Sequence, residues 1–157
     1  MRKILLATLV AALAAPAFAQ MPNPYGESIG VEAAKRIAAM SVAEAKKNNW
    51  KMAVAVVDIA GDLVYFEKMD GTQVASVNIA QDKARSAVRF KRPTKAMQDV
   101  LAGGGAGIRF LALQGAIPVE GGLPILMDGK IVGAIGASGG SSDQDGLTAK
   151  AGADSVK

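Results

Sequence analysis

Residues 121–140 read GGLPILMDGKIVGAIGASGG. The stretch is rich in glycine, yet it holds two runs of branched apolar residues. Three readings compete: a phosphate cradle, a flexible linker, and a β-hairpin that ends in a binding loop. A linker would leave Ile125, Leu126, Ile131, Val132 and Ile135 in water, which the hydrophobic effect opposes. A nucleotide cradle needs Gly-x-x-x-x-Gly-Lys-Ser/Thr or Gly-x-Gly-x-x-Gly, and neither pattern occurs here. Asp128-Gly129 between two apolar runs is the strongest short-range hairpin signal. The stretch therefore predicts strands over Leu123–Met127 and Lys130–Ala137. Gly133 and Gly136 within the second strand mark close approach of a neighbouring element.

Working upstream, a second hairpin emerges. Met52–Val57 (MAVAVV) is short, apolar and valine-rich, as a buried strand should be. Asp58-Ile59-Ala60-Gly61-Asp62 makes a turn, and Leu63–Met69 returns as its partner. Helical spacing of Ile29, Ala33, Ile37 and Met40 predicts a helix over 29–47, with Ser28 as N-cap. Val77, Ala80, Ala84 and Val88 form the apolar stripe of a second helix over 76–90. Thr94 caps a short third helix to about Leu101, and Gly103–Gly107 reads as a mobile loop. Ser142–Lys157 predicts a C-terminal helix, with Asp143 and Asp145 in its first turn. The order is helix, hairpin, helix, short helix, hairpin, helix. It predicts an α+β domain with an antiparallel sheet and helices packed on it.

The N-terminus has a different character. Met1-Arg2-Lys3 is positive, Ile4–Ala15 is apolar, and Ala17-Phe18-Ala19 is a small-x-small cleavage signature. Residues 1–19 are expected to be a secretory signal, too short to span a membrane, and the protein is expected in the periplasm or secreted. Residues 20–27 (QMPNPYGE) hold two prolines and read as an exposed lead-in to a domain over 28–157.

Composition narrows the chemistry. The chain has 157 residues with no Cys and no His. No disulfide, thiolate nucleophile, Ser-His-Asp triad, His-based metal site or His-ligated haem can be built from it. Losing Arg2 and Lys3 leaves 16 basic residues against 14 acidic ones, a net charge of +2. That balance does not point to nucleic acid as a partner. No second segment is long and apolar enough to cross a membrane.

Two blocks carry a resemblance. DIAGDLVYFEKMDGTQVASVNIAQDKARSAVRFKRPT (58–94) and EGGLPILMDGKIVGAIGASGGSSDQD (120–145) resemble the signature blocks of the GlcG/HbpS-like family, which includes the C-terminal domain of PduO-type proteins. They span about 60 of the 138 residues that follow Ala19. The resemblance implies a profilin-like, five-stranded antiparallel sheet flanked by helices, the fifth strand falling near Gly115–Val119. It also implies a homo-oligomer, a dimer or octamer, and haem as a possible cofactor. Without histidine, the iron would have to use Thr, Tyr, Met, Lys or water.

The candidate site follows from charge and apolar pattern. Backbone N–H groups of the Gly136–Ser142 loop, with Ser138, Gly139 and Gly140 at its centre, can hold a carboxylate at the start of the last helix. The commoner role for such a loop is simply a capped turn. Lys83 lies in line with apolar helix positions and either reaches water or meets an acid or a ligand. Arg85, Arg89 and Arg92 share one helix face, which more often faces solvent than a ligand. Lys83 and Arg85 are expected to supply countercharge, and Phe66, Met69 and Phe90 to cover a flat apolar ligand body. Met69 and Tyr65 are conceivable haem ligands, though strand position favours a packing role. Asp58 and Asp62 are turn formers before they are an acid–base pair. No complete set of acid, base and orienting group is visible, which disfavours an enzyme. The leading expectation is an exported protein binding a small ligand, a tetrapyrrole or a small carboxylate. The alternatives are an accessory subunit of a periplasmic oxidoreductase and an enzyme acting on a small organic acid through Lys83.

Overall fold

The computed structural model describes residues 22–156. The signal segment 1–19 and its cleavage point before Gln20 lie outside the described residues. The elements are α1 (Val31–Lys47), β1 (Ala53–Val57), β2 (Leu63–Lys68), α2 (Ser76–Arg89), α3 (Thr94–Ala102), a 3-10 helix (Gly105–Ala112), β3 (Gly122–Met127), β4 (Lys130–Ser138), α4 (Ser142–Ala153) and a final 3-10 turn (Asp154–Val156).

The four strands form one antiparallel sheet in the order β2-β1-β4-β3. Each hairpin is thus adjacent in space, and the two meet where β1 pairs with β4. The β3–β4 turn has Asp128 at φ 49° and Gly129 at φ 71°. Both central residues at positive φ match the right-handed twist of a hairpin, which explains why Asp-Gly stands there. In the β1–β2 turn, Asp58 Oδ1 accepts from the Ala60 and Asp62 amides, each at 2.9 Å. Asp58 is a turn former here.

Strand alternation sends side chains to two helical layers. Val54, Val56, Ile135 and Ala137 face α1 and α4, where Ile37, Ala38, Val42 and Ala149 complete the larger core. Val57 and Ala134 face Ala84, Ala87 and Val88 of α2, and Ala53 and Ala55 face Ala80. The pairing of β3 with β4 shifts register between Ile125 and Leu126, which leaves Val132 of β4 unpaired with β3. This bulge resets the alternation, so Ile131 and Ala134 both face α2 while Val132 faces the other layer. The residues buried under α2 are mostly alanine and glycine because the helix lies so close. A Cβ at Gly136 would overlap the Ala80 carbonyl, and one at Gly122 would overlap the Lys83 carbonyl.

Several expectations need correction. The sheet has four strands, not five: Gly115–Val119 makes turns, with Gly115 at φ 79°. Its Ile117 amide donates to Ser86 Oγ at 3.0 Å, which ties the segment to α2 and leaves no strand ladder. Gly103–Gly107 is not simply an open loop, since the 3-10 helix starts at Gly105. Helix α1 starts at Val31 after Gly30, so Ser28 is not its cap, and Met40 is exposed. Residues 24–26 bond to β4 just past the end of β1: Ile131 donates to the Pro24 carbonyl and Gly26 donates to the Ile131 carbonyl, both at 2.8 Å. Tyr25 is pinned further by its hydroxyl to the Val88 carbonyl at 2.8 Å and by Lys91 over its ring.

Candidate functional site

Lys83 sits on the α2 face turned toward β4 and α4, and only 1% of its side chain is exposed. Its ammonium donates to Asp145 Oδ2 at 2.7 Å and to the Ala137 carbonyl at 3.3 Å. Asp145 is positioned by α4, whose start is fixed by a capping box between Ser141 and Gln144. Its other oxygen, Oδ1, accepts the Gly140 amide at 3.0 Å. The glycine loop therefore does hold a carboxylate, and that carboxylate belongs to the protein. Burial pushes the Asp145 carboxyl above its ordinary value, while Lys83 and the Gly140 and Gly139 amides pull it down.

The structure brings Lys83 together with Gly139 and Gly140 but separates the other sequence candidates. Arg85 turns toward the β1–β2 turn, donating to the Gly61 carbonyl and pairing with Asp82. Ser138 is buried and donates to Ser76 Oγ at 3.1 Å. A Cβ at Gly139 would overlap the Lys51 carbonyl, so that glycine serves close packing. Phe66 packs on the α2 side of the sheet and Met69 on the α1 side, so they do not share a site. Phe90 stands just past α2 and is half-buried. Tyr65 is half-buried and donates to Glu67, and burial pushes its phenol above its ordinary value, with Glu67 adding to the shift.

Beside the ion pair lies a cleft of about 260 Å³ lined by Pro93, Lys95, Glu120, Gly121, Leu123 and Leu147, among others. Lys150 lines it as well. Gly121, at φ 123°, forms the wall between cleft and ion pair; a Cβ there would come within 2.9 Å of Lys83 Nζ and of Asp145 Cβ. Thr94 holds the next residue from the other side, accepting the Gly122 amide at 2.9 Å. Lys83 and Asp145 thus anchor α2, β4 and α4 behind the cleft, and α3 and β3 close it. Sequence reasoning missed Lys95, Glu120, Leu147 and Lys150. The available signal was Glu120 itself, one acid between apolar Val119 and Gly121-Gly122.

The lining combines apolar walls with two lysines and one carboxylate, a setting for an amphipathic small molecule. It contains no thioether, phenol or imidazole that would hold a haem iron. Among the described residues there is no group of three metal-ligating side chains, and no helix is long and apolar enough to cross a membrane.

The comparisons with known proteins agree with the fold. A family model described as "Haem degrading protein HbpS-like" matches residues 29–154. Protein GlcG of Escherichia coli (strain K12) is 37% identical over 105 residues, covering 67% of this chain and 77% of that protein. A crystal structure of a Streptomyces reticuli HbpS double mutant superposes with a TM-score of 0.77 at 30% identity, over 98% of this chain and 99% of that one. A PduOC:Heme complex shares the fold, with a TM-score of 0.74 at 24% identity over 83% of this chain and 96% of that one. The family match across residues 29–154, with the identity to protein GlcG, places the chain in the HbpS-like family.

Proposed function

We propose that this is an exported protein that binds a small carboxylate-bearing ligand in the cleft between α3, β3 and α4. The observation that carries the reading is the pairing of apolar walls, Pro93, Leu123 and Leu147, with Lys95 and Lys150. Apolar surface holds the ligand body, and an ammonium offers up to three donors to its carboxylate. At about 260 Å³ the cleft is smaller than the roughly 300–1,000 Å³ that encloses a drug-sized ligand. A small organic acid fits within it. A tetrapyrrole, the reading that the family description favours, would place only a propionate edge there, with its iron outside. The residues of the cleft fit that propionate; of the side chains that could take the iron it holds only Lys95 and Lys150, each already paired with an aspartate. Export rests on the pattern of residues 1–19.

The test is a hemin titration followed at the Soret band, run beside calorimetry with short-chain carboxylic acids. Both use the processed protein and a Leu147→Trp variant that fills the cleft mouth. Acid binding that disappears in the variant supports the reading. Tight hemin binding that Leu147→Trp leaves unchanged would move the site elsewhere.

A second reading, as an accessory subunit of an oxidoreductase, is supported by the exposed apolar side chains Val100, Ile108, Leu111 and Leu113 around the 3-10 helix. Co-purification of a dehydrogenase from the native source, lost on Leu111→Glu, would favour it.

A further inference from the structure

Within the cleft, Glu120 is the group whose chemistry is unfinished. Its side chain is 16% exposed, and its Oε2 is buried with no hydrogen-bond partner among the described residues. Lys95 Nζ forms a long ion pair with it at 3.7 Å, beyond hydrogen-bond distance, while donating to Asp99 at 3.0 Å. The backbone around Glu120 is committed: its own amide donates to Gln98 Oε1 at 2.7 Å. The carboxylate lies against α4 at Gly146, where a Cβ would overlap Glu120 Oε1. Glycine at 146 therefore admits the carboxylate beside α4, although glycine in a helix interior is less favourable than alanine.

Oε2 itself is closed to solvent, so a ligand in the cleft meets Glu120 at the exposed part of its side chain. There it displaces water from the carboxylate and must supply the donor that the water gave. A plain carboxylic acid cannot do so when ionised, since it brings acceptors alone and meets Glu120 as a like charge. The lysines still require an anion. Lys150 lines the cleft while donating to Asp154, and an ammonium has further donors to give. The two demands together specify one chemistry. The ligand carries a carboxylate for Lys150 or Lys95, a hydrogen-bond donor close to that carboxylate for Glu120, and a small apolar body for Leu123, Leu147 and Pro93.

We infer that the cleft is selective for small carboxylic acids bearing a hydrogen-bond donor beside the carboxylate, a 2-hydroxy or 2-amino acid with a short aliphatic side chain, and that Glu120 is the residue that reads the donor. This deepens the function proposed above and rests on it. Glu120 is a specificity residue, while Lys83 and Asp145 position the wall behind it.

The test compares three acids of nearly one shape: isovaleric acid, 2-hydroxyisovaleric acid and valine. Affinities are measured by calorimetry on the full chain. The 2-hydroxy or 2-amino acid should bind at least about tenfold more tightly than isovaleric acid, the difference expected when a buried acceptor gains or lacks its donor. Glu120→Leu should bring all three together. Glu120→Gln keeps an acceptor without the charge, so it should retain a preference for the hydroxy acid and lose any extra preference for the ammonium. Circular dichroism confirms that each variant is folded. Isovaleric acid binding as tightly as the other two would overturn the inference, as would a preference that survives Glu120→Leu. Binding of none of the three overturns it as well. If plain short-chain acids or hemin still bind the cleft, the broader function stands alone, and if nothing binds there, both fall.

Discussion

At the scale of single residues, the buried pair of Lys83 and Asp145 is the most consequential feature. Desolvating two charges is expensive, so such a pair is held only where geometry and further hydrogen bonds are good. Here the Ala137 carbonyl and the Gly140 amide supply them. Lys83→Met removes the partner whose hydrogen bond most opposes the effect of burial on Asp145. It should destabilise the fold by about 3–5 kcal/mol at pH 7, measured by urea denaturation. The sign of the pH dependence follows. A carboxyl raised above its unfolded value contributes stability below that unfolded value and loses it as pH rises through the folded one. Without Lys83 the folded value rises further, so the loss at pH 7 is larger. The gap between variant and parent should therefore narrow from pH 7 toward pH 4, and a gap that widens would refute this assignment. Lys83→Met with Asp145→Leu should recover much of the stability, since neither charge is then left alone.

At the scale of elements, close packing of α2 on β4 organises the molecule. Gly136→Ala would press a methyl into the Ala80 carbonyl, and the cost of such overpacking is typically about 1–3 kcal/mol. A lower thermal midpoint checks it. The 24–26 strap gives a milder prediction. Tyr25→Phe removes the hydrogen bond to the Val88 carbonyl and should cost about 0.5–1.5 kcal/mol. The hairpins and four α-helices were legible because each had a local cause: Asp128-Gly129, the valine run of β1, the alanine stripe of α2. The start of α1 and the tied segment 115–119 were not, because their backbone partners lie far away in sequence. Ile29 bonds to Val132, and Ile117 bonds to Ser86. Periodicity carries no trace of such pairings. The candidate site was half legible for the same reason. Lys83 stood out as a charge on an apolar face, but that Asp145 would be its partner, and that Glu120, Lys95 and Lys150 would converge, depended on three helices meeting one hairpin.

At the scale of the whole molecule, the chain has little to rely on but its packing, since it has no cysteine. We propose that the chain associates with copies of itself, as isologous dimers commonly do. Sedimentation of the parent protein should show a species larger than a monomer at micromolar concentration, and a monomer alone at that concentration would count against it. Export makes a separate claim on the whole chain: protein recovered from outside the cytoplasm should begin at Gln20, and retention of Met1 on that material would count against a cleaved signal.

Whether the cleft between α3, β3 and α4 receives a carboxylate ligand is decided by chemical-shift mapping of backbone amides. On titration with 2-hydroxyisovaleric acid, saturable shifts should concentrate at Glu120, Gly121, Gly122, Gly146 and Leu147, with the remote β1–β2 turn around Gly61 unmoved. Shifts centred on that turn, or none at these five amides at saturating acid, would contradict binding in the cleft.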